Sequence, residues 1–341
     1  MGSSTKYAME PATASAPAAT ASAAAPAPLA TASTATLASA AASASAATAA
    51  ASPASAAAPA PAPASERRYW RNIIYFGVLH LLPLGALLTG AGAPEFIAAA
   101  ALYWIRIWFV TAGYHCYFSH RAFETSRAFQ LILAIGAQAS GQGSVLRWAA
   151  GHRHHHANSD HDDDLHSPHA RGLWYAHMGW LLRTRYLAPS APRPGPFTRF
   201  PELVWLDRHP HVPPVALALL SVIAFGAPGL FIVYGLSTVL VYHATFTVNS
   251  LAHRFGTRPY ETPDQSRNNW FVALIMLGGG WHNNHHRFPR SARQGLRWWE
   301  IDVTYYVLLG LARLGIVHTL RAPSVRAALA PRTPARSHRS C

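Results

Sequence analysis

The chain has 341 residues, of which 50% are hydrophobic, a formal net charge of +14 and only two cysteines. Two cysteines exclude a disulfide framework and a metal site built from thiolates. A basic chain suits either nucleic acid or an anionic membrane surface, and the distribution of apolar residues decides between them. Residues 1–65 consist mainly of Ala, Ser, Thr and Pro. This composition cannot bury enough apolar surface to fold, so we expect a disordered tail.

Four apolar runs follow the tail and predict membrane-spanning helices. They cover residues 73–93, 96–118, 212–227 and 229–253. A turn at residues 93–95 separates the first two and Pro228 separates the last two, which indicates two helical hairpins. Arginine is concentrated before the first run, in residues 119–211 and after the last run. The positive-inside rule then puts the N-terminus, the middle segment and the C-terminus in the cytoplasm. We expect a lipid bilayer, and no nucleic acid, as partner.

One charge interrupts the second run. Arg106 lies deep within it, where an isolated charge is expensive. In the first interpretation its guanidinium faces other helices, or water near a tilted end of the helix. In the second it helps to shape an internal cavity. The sequence leaves both interpretations open.

Histidine accumulates at the predicted cytoplasmic ends of these runs. The clusters are HCYFSH (115–120), HRHHH (152–156), NSLAH (249–253) and HNNHH (282–286). Imidazole titrates near neutrality and is costly to bury, so four such clusters on one side of a membrane indicate a shared metal site. The clusters contain no carboxylate at ligand spacing, so we expect ligands that are almost all imidazole. Imidazole suits iron, zinc and copper, and the residues alone do not name the metal.

The spacing within the clusters sharpens the prediction. Residues at i, i+3 and i+4 share one helix face. This spacing relates His152, His155 and His156 in one cluster, and His282, His285 and His286 in another. Two such faces can hold metal between them, whereas His154 would project away. His115 and His120 are five residues apart and converge only if the helix ends or distorts between them.

The remaining histidines and the acidic segment SDHDDDLHSPH have simpler interpretations. Isolated histidines such as His80 and His243 are expected to be hydrogen-bonded or exposed. We favour a solvated loop for the acidic segment. The alternative is that its carboxylates orient metal-bound imidazoles, with Asp160 and Asp164 as the best candidates.

Residues 66–318 resemble an integral-membrane fatty acyl desaturase of the acyl-CoA Δ9 type. The four histidine motifs occur in the order typical of that family, and the flanking TAGYH, SHRAF, AHMGWLL and FGTRPY agree. The resemblance implies an all-α membrane protein with four transmembrane helices in two hairpins. A cytoplasmic helical cap would hold a histidine-rich di-iron site, with a basic tail at 319–341.

The resemblance also implies roles for individual residues. The di-iron ligands would be His115, His120, His152, His155, His156, His253, His282, His285 and His286, with Asn249 acting through a water. Gln142, Trp148 and Thr245 correspond to residues that shape the bend of a substrate tunnel. Tyr103 corresponds to a residue near its closed end. Tyr103 could equally pack against lipid or a neighbouring helix.

The implied activity is O2-dependent desaturation of a saturated long-chain fatty acyl thioester, giving a cis double bond at Δ9. An unactivated methylene has no acidic proton, so a metal-bound oxidant must remove a hydrogen atom. The resemblance implies that a reduced di-iron centre and O2 generate it. Cys116 stands where relatives usually carry Arg, and Gly151 where Asp is common. These departures weaken the head-group assignment, so acyl-CoA is the expected carrier while acyl-lipid and acyl-carrier protein stay open.

Electrons would come from a separate ferredoxin or cytochrome b5 with its reductase, because no residues remain for a fused cytochrome b5 domain. Two alternatives stay open from the sequence. One is a membrane di-iron hydroxylase, which inserts oxygen into the acyl chain or lipid. The other is a non-catalytic metal-binding or metal-transport protein. Transport would call for polar or metal-binding residues within the spans, whereas the clusters lie at their cytoplasmic ends.

Overall fold

The computed structural model describes residues 63–182, 195–324 and 328, with side chains from residue 69 onward. The predicted tail at 1–65 lies almost wholly outside these residues, and that at 319–341 mostly so. The described helices are Pro63–Leu81, Leu82–Gly85, Ala86–Thr89, Ala93–Phe109, Val110–Ser119, Arg127–Gln138, Val145–Asn158, Pro168–Arg171, Leu173–His177, Gly179–Leu182, Pro196–Arg199, Pro201–Arg208, Val212–Pro228, Gly229–Leu236, Ser237–Arg254, Trp270–Ile275, His282–Arg287 and Val303–Arg313. Strands β1 (Glu124–Thr125) and β2 (Val317–His318) pair antiparallel. The expected helical fold is confirmed.

Three helical stretches are long and apolar enough to cross a membrane: Tyr69–Thr89, Ala93–Ser119 and Val212–Arg254. The last has 43 residues, about twice the length that a bilayer requires. Gly226 interrupts it with φ 66° and ψ −153°. A Cβ at Gly229 would overlap the carbonyl oxygen of Ser221, eight residues earlier, so the chain has folded back after Gly226. Four spans in two hairpins, and their orientation, stay predictions.

The connection between the first two stretches differs from the prediction. Residues 93–95 are not a turn but the first turn of helix Ala93–Phe109. Gly90, with φ 73°, lies in the connection instead. The Glu95 carboxylate accepts a hydrogen bond from the Gly92 N–H at 2.8 Å, which satisfies a backbone donor just before the helix. Pro94 is tolerated because the N–H it lacks would have no partner in the first turn.

Arg106 faces other helices, which is the first of the two alternatives. Its guanidinium donates to the hydroxyls of Ser237 and Thr238 at 2.9 and 2.8 Å, and to the carbonyl oxygen of Ala139 at 2.9 Å. The side chain is buried and also lies over the Tyr234 ring. These contacts offset the cost of a charge in a spanning helix. They tie the helix Ala93–Phe109 to the start of Ser237–Arg254.

Two apolar clusters hold the helices that carry the histidine motifs. The larger includes Tyr114, Phe118, Leu133 and Val241, and joins the second spanning helix to Arg127–Gln138 and Ser237–Arg254. The smaller joins the first spanning helix to Ser237–Arg254; its buried members are Phe76, Leu79, Tyr242 and Phe246. The helix Ser237–Arg254 therefore contributes to both.

A chain of hydrogen bonds runs beside the smaller cluster. The Nε2 atoms of His80 and His243 are 2.9 Å apart, and His243 Nδ1 lies 2.9 Å from His177 Nε2. His177 Nδ1 in turn lies 3.1 Å from the Ser250 hydroxyl. His80 and His243 are thus hydrogen-bonded, as expected. They connect the first spanning helix to the short helix Leu173–His177.

Candidate metal centre

All nine predicted histidine ligands converge, and they do so in two groups. The five-histidine group contains His115, His120, His152, His156 and His285. The four-histidine group contains His155, His253, His282 and His286. Within each group one nitrogen of every ring lies within 4.8 Å of all the others. Asn249 lies half-buried on the helix Ser237–Arg254, one turn before His253.

The two helices that carry three histidines each, Val145–Asn158 and His282–Arg287, supply side chains to both groups. In Val145–Asn158, His152 and His156 join the five-histidine group with ring centroids 4.6 Å apart, while His155 points into the other. In His282–Arg287 the pair at i and i+4, His282 and His286, joins the four-histidine group, and His285 points into the first. The two groups touch, since the rings of His156 and His286 stack at 4.3 Å. The two groups therefore form two adjacent sites that are built in part from the same helices.

A π-helix resolves the five-residue spacing of His115 and His120. Residues Val110–Ser119 form i→i+5 hydrogen bonds, and the His120 N–H donates to the His115 carbonyl oxygen at 3.2 Å. The wider turn brings residues five apart onto one side, and the two ring centroids lie 4.8 Å apart. The required distortion of the helix is therefore present.

The nitrogen atoms have the spacing of ligands around a cation. In the five-histidine group, successive Nε2–Nε2 distances are 3.0 Å (His115–His285), 2.9 Å (His285–His156), 3.1 Å (His156–His152) and 2.8 Å (His152–His120). In the four-histidine group they are 3.1 Å (His253–His282) and 3.0 Å (His282–His286). With a metal–nitrogen bond of about 2.1 Å, two ligands at right angles lie about 3.0 Å apart. The spacing fits a bound metal.

Carboxylates fix the ring orientation in the four-histidine group. Nδ1 of His253 donates to Asp160 at 2.8 Å, and Nδ1 of His155 donates to Asp164 at 2.9 Å. Each Nδ1 then carries the proton, which leaves an Nε2 lone pair directed at the group's centre. The solvated-loop interpretation was wrong for these two aspartates. It holds for His161, Asp162 and Asp163, which are exposed.

A third carboxylate, Asp264, was not predicted from the sequence. It accepts from His286 Nδ1 at 2.6 Å. Its segment has no spacing relation to a histidine motif, so nothing in the sequence pointed to it. Gln294 was missed for the same reason; its amide nitrogen lies 3.4 Å from His115 Nδ1.

The two asparagines of HNNHH, Asn283 and Asn284, anchor the helix His282–Arg287 through buried side-chain hydrogen bonds. The Asn283 side-chain oxygen accepts from the Tyr260 N–H at 2.8 Å. The Asn284 amide donates to Glu300 at 2.8 Å, and its oxygen accepts from Asn268 at 2.7 Å. Both asparagines are buried. They fix the helix rotation that sends neighbouring histidines into different groups.

Burial favours the neutral form of six of these imidazoles. It lowers the pKa well below the ordinary histidine value, and the neighbouring imidazoles lower the pKa further, at His120, His152, His156, His282, His285 and His286. Neutral rings present lone pairs, and lone pairs about 3 Å apart repel unless a cation lies between them. The residues present therefore fit two metal ions with imidazole ligands.

Three of the four predicted tunnel residues lie beside the five-histidine group. The Gln142 amide donates to the Thr245 hydroxyl at 2.8 Å, and the Trp148 indole N–H donates to the Gln142 oxygen at 3.2 Å. The Trp148 ring stacks on His152 with centroids 5.0 Å apart. Tyr103 lies further up the second spanning helix, where its hydroxyl donates to the Ile275 carbonyl oxygen at 2.7 Å. Gln142, Thr245 and Trp148 therefore form one hydrogen-bonded unit against His152.

Comparison with known proteins agrees with this geometry. The fatty acid desaturase family model matches residues 94–314. The chain is 36% identical over 260 residues to an sn-1 stearoyl-lipid 9-desaturase of Anabaena variabilis, covering 74% of this chain and 93% of that protein. It is 34% identical over 262 residues to an acyl-CoA C20 Delta5-desaturase of Anemone leveillei, covering 74% and 82%.

A third relative is named for a different acyl carrier, an acyl-carrier protein. The chain is 37% identical over 236 residues to a hex-5-enoyl-[acyl-carrier protein] acetylenase of Moorena producens, covering 64% of this chain and 74% of that protein. The family match spans well over half of the chain and includes all four histidine motifs. Two adjacent imidazole groups, spanning helices and these relatives lead to one conclusion: the chain belongs to the fatty acid desaturase family, a family of oxidoreductases.

Proposed function

We propose that the chain desaturates a saturated long-chain fatty acyl-CoA, introducing a cis double bond at Δ9 with O2 as co-substrate. The observation that carries the proposal is the convergence of nine imidazoles in two adjacent groups. We assign one iron to each group, with Asn249 reaching the metal through a water. When bound, the irons supply the oxidising chemistry that an unactivated methylene requires.

The chain's own residues position the acyl chain and the ligands. Gln142, Trp148 and Thr245 form a rigid unit that would bend the acyl chain beside His152. A fixed bend selects the methylene pair that faces the metal centre. Asp160, Asp164 and Asp264 each accept a hydrogen bond from Nδ1 of one imidazole, which leaves Nε2 of that ring free for the metal.

The family assignment leaves the acyl carrier and the position of the double bond open. The relatives are named for a lipid, a CoA and an acyl-carrier-protein substrate. Cys116, one of the two departures from the Δ9 acyl-CoA pattern, is buried with its sulfur 3.8 Å from His115 Nδ1. It therefore sits beside the metal centre. Acyl-CoA remains our choice of carrier, as the resemblance of the four histidine motifs and their flanking residues implies.

An acyl-lipid substrate is the second candidate. It is favoured by the similarity to the stearoyl-lipid 9-desaturase over 93% of that protein's length. Under either candidate we expect a separate electron donor, a ferredoxin or cytochrome b5 with its reductase. We also propose that both termini and the metal centre face the cytoplasm.

The test is product analysis by mass spectrometry. The full chain is expressed in a host without Δ9 desaturation, and the purified protein is assayed with a reductase, each donor, and stearoyl-CoA or stearoyl-lipid. We expect a cis-Δ9 product from the CoA ester. Product from the lipid alone would overturn the carrier, another bond position would overturn Δ9, and a hydroxylated chain would show that the protein is a hydroxylase.

A further inference from the structure

An apolar cavity of about 320 Å³ opens beside the second spanning helix. Its lining includes Trp104 from that helix, Trp270 and Leu274 from the short helix Trp270–Ile275, and Trp299 and Ile301 from the segment that follows the histidine helix. The lining carries no charged side chain. Its size is that of a site for a small apolar ligand. None of the nine histidines contributes to it.

One wall of the cavity belongs to the lipid-facing side of the second spanning helix. Ile97, Ala101, Trp104 and Ile105 are exposed and have the i, i+4, i+7, i+8 spacing of a single helix face. Exposed apolar side chains on a spanning helix contact lipid. The cavity therefore continues the surface that meets the bilayer.

The other walls are also exposed and apolar, although they lie outside the three candidate spans. Trp270 is 71% exposed, Leu274 62% and Ile301 61%. A patch of this kind on a soluble surface is rare unless it binds something. Its continuity with the lipid-facing helix identifies what covers it as lipid.

Several backbone groups beside the cavity have hydrogen-bond partners within the protein. The carbonyl oxygen of Ile275 accepts from the Tyr103 hydroxyl at 2.7 Å, and that of Leu277 accepts from the Thr304 N–H at 2.9 Å. The Asn269 side chain caps the start of the short helix. Partners of this kind are what hydrocarbon surroundings require, because lipid offers no hydrogen bonds.

A positively charged side chain, Arg297, lies at the edge of the patch. The Arg297 guanidinium lies over the Trp299 ring, 5.3 Å from its centroid. Tryptophan beside arginine is typical of the boundary between hydrocarbon and head groups, where the arginine meets phosphate.

We propose that this cavity binds an acyl chain of a bilayer phospholipid, with Trp270–Ile275 and residues 298–303 embedded in the leaflet next to the metal centre. The short helix is then a membrane-inserted element in addition to the spanning helices. The proposal holds whatever reaction the metal centre performs.

Spin labels on the full chain in phospholipid nanodiscs test the surface. Single cysteines are introduced by Leu274→Cys, by Ile97→Cys as the lipid-facing control and by Asp162→Cys as the aqueous control, all in a Cys341→Ser background because Cys116 is buried. We expect the label at 274 to match that at 97, accessible to O2 and protected from a water-soluble nickel chelate. A label that matches 162 would overturn the proposal. Protection from both reagents, with a crosslinked dimer, would assign the patch to a second copy and also overturn it.

Phospholipid retained by the purified protein tests the cavity. Ala273 is buried and lines the cavity, whereas Ala100 is exposed on the same spanning helix as Trp104. Ala273→Phe should therefore lose one retained phospholipid per chain, measured by extraction and mass spectrometry, while Ala100→Phe should lose none. Equal retention in the two variants, with the spin label at 274 still in lipid, would show an embedded surface without a bound chain and refute the site.

Discussion

Replacing Asp160 with asparagine would remove the carboxylate that orients His253 in the four-histidine group. The carboxylate accepts from His253 Nδ1 and from the Gln265 N–H, both at 2.8 Å, through Oδ2, and from the Ser167 hydroxyl at 2.9 Å through Oδ1. Asparagine keeps one oxygen and puts an NH2 group where the other was, so at least one donor loses its acceptor. Asp160 has φ 62°, a conformation that asparagine also adopts readily, so the backbone is not strained.

The expected magnitude follows from what His253 loses. Without the carboxylate charge, the Nδ1 proton is held at most by a neutral amide oxygen, so the ring turns or changes tautomer more readily. Groups that orient a metal-bound imidazole typically account for roughly 10–100-fold in metal affinity or activity. That range corresponds to about 1.4–2.8 kcal/mol. We expect Asp160→Asn to weaken iron binding by roughly this factor, and turnover at limiting iron to fall with it.

The assay measures iron retained per chain after equilibration with graded concentrations of a chelator, followed by desaturation activity. Asp162→Asn is the matched control, because it makes the same charge change two residues away at an exposed side chain. Its retention curve should overlay that of the unmodified protein. If the Asp160→Asn curve overlays it too, Asp160 does not support a metal ligand and the reasoning is refuted.

Three further predictions concern ligands, tail and tunnel. His285→Ala should lower iron content and abolish turnover, because its group contains no carboxylate to replace it; His154→Ala should be mild, since that exposed ring lies outside both groups. Full activity of the first variant, or iron loss in the second, would contradict the ligand assignment. Deleting residues 2–60 should leave product yield and membrane insertion intact, and a collapse of either would give the tail a role. Tyr103→Ala should shift preference toward longer acyl chains in a competition of graded substrates without moving the double bond. Tyr103→Phe, which loses only the hydroxyl, should not, and an unchanged profile for the alanine variant would remove Tyr103 from the substrate path.

The location of the candidate metal ligands could be predicted from the sequence because the relevant pattern is local. Histidines at i, i+3 and i+4 lie on one face of any helix, and apolar runs of spanning length place the helix ends on one side of a membrane. Both patterns depend only on neighbouring residues. Nine of the ten histidines in the motifs accordingly converge, and the tenth, His154, is the one that the spacing set apart.

The division into two groups could not be predicted from spacing. One face carries His152, His155 and His156, yet His155 joins a different group from the other two. Helix rotation decides this, and rotation is set by contacts of residues distant in the chain. In the second histidine helix, Asn284 bonds to Asn268 and Glu300, each 16 residues away.

The tertiary structure also decided the tautomers and the local distortions. The carboxylates that hold Nδ1 of His155, His286 and His253 lie 9, 22 and 93 residues away, and no periodic pattern relates positions so far apart. The π-helix that brings His115 to His120 is an unfavourable local geometry, maintained by the packing around it. The sequence alone determined which imidazoles are available for metal binding. Where each lone pair points was decided only by folding, because ring orientation depends on the partner that Nδ1 meets in space.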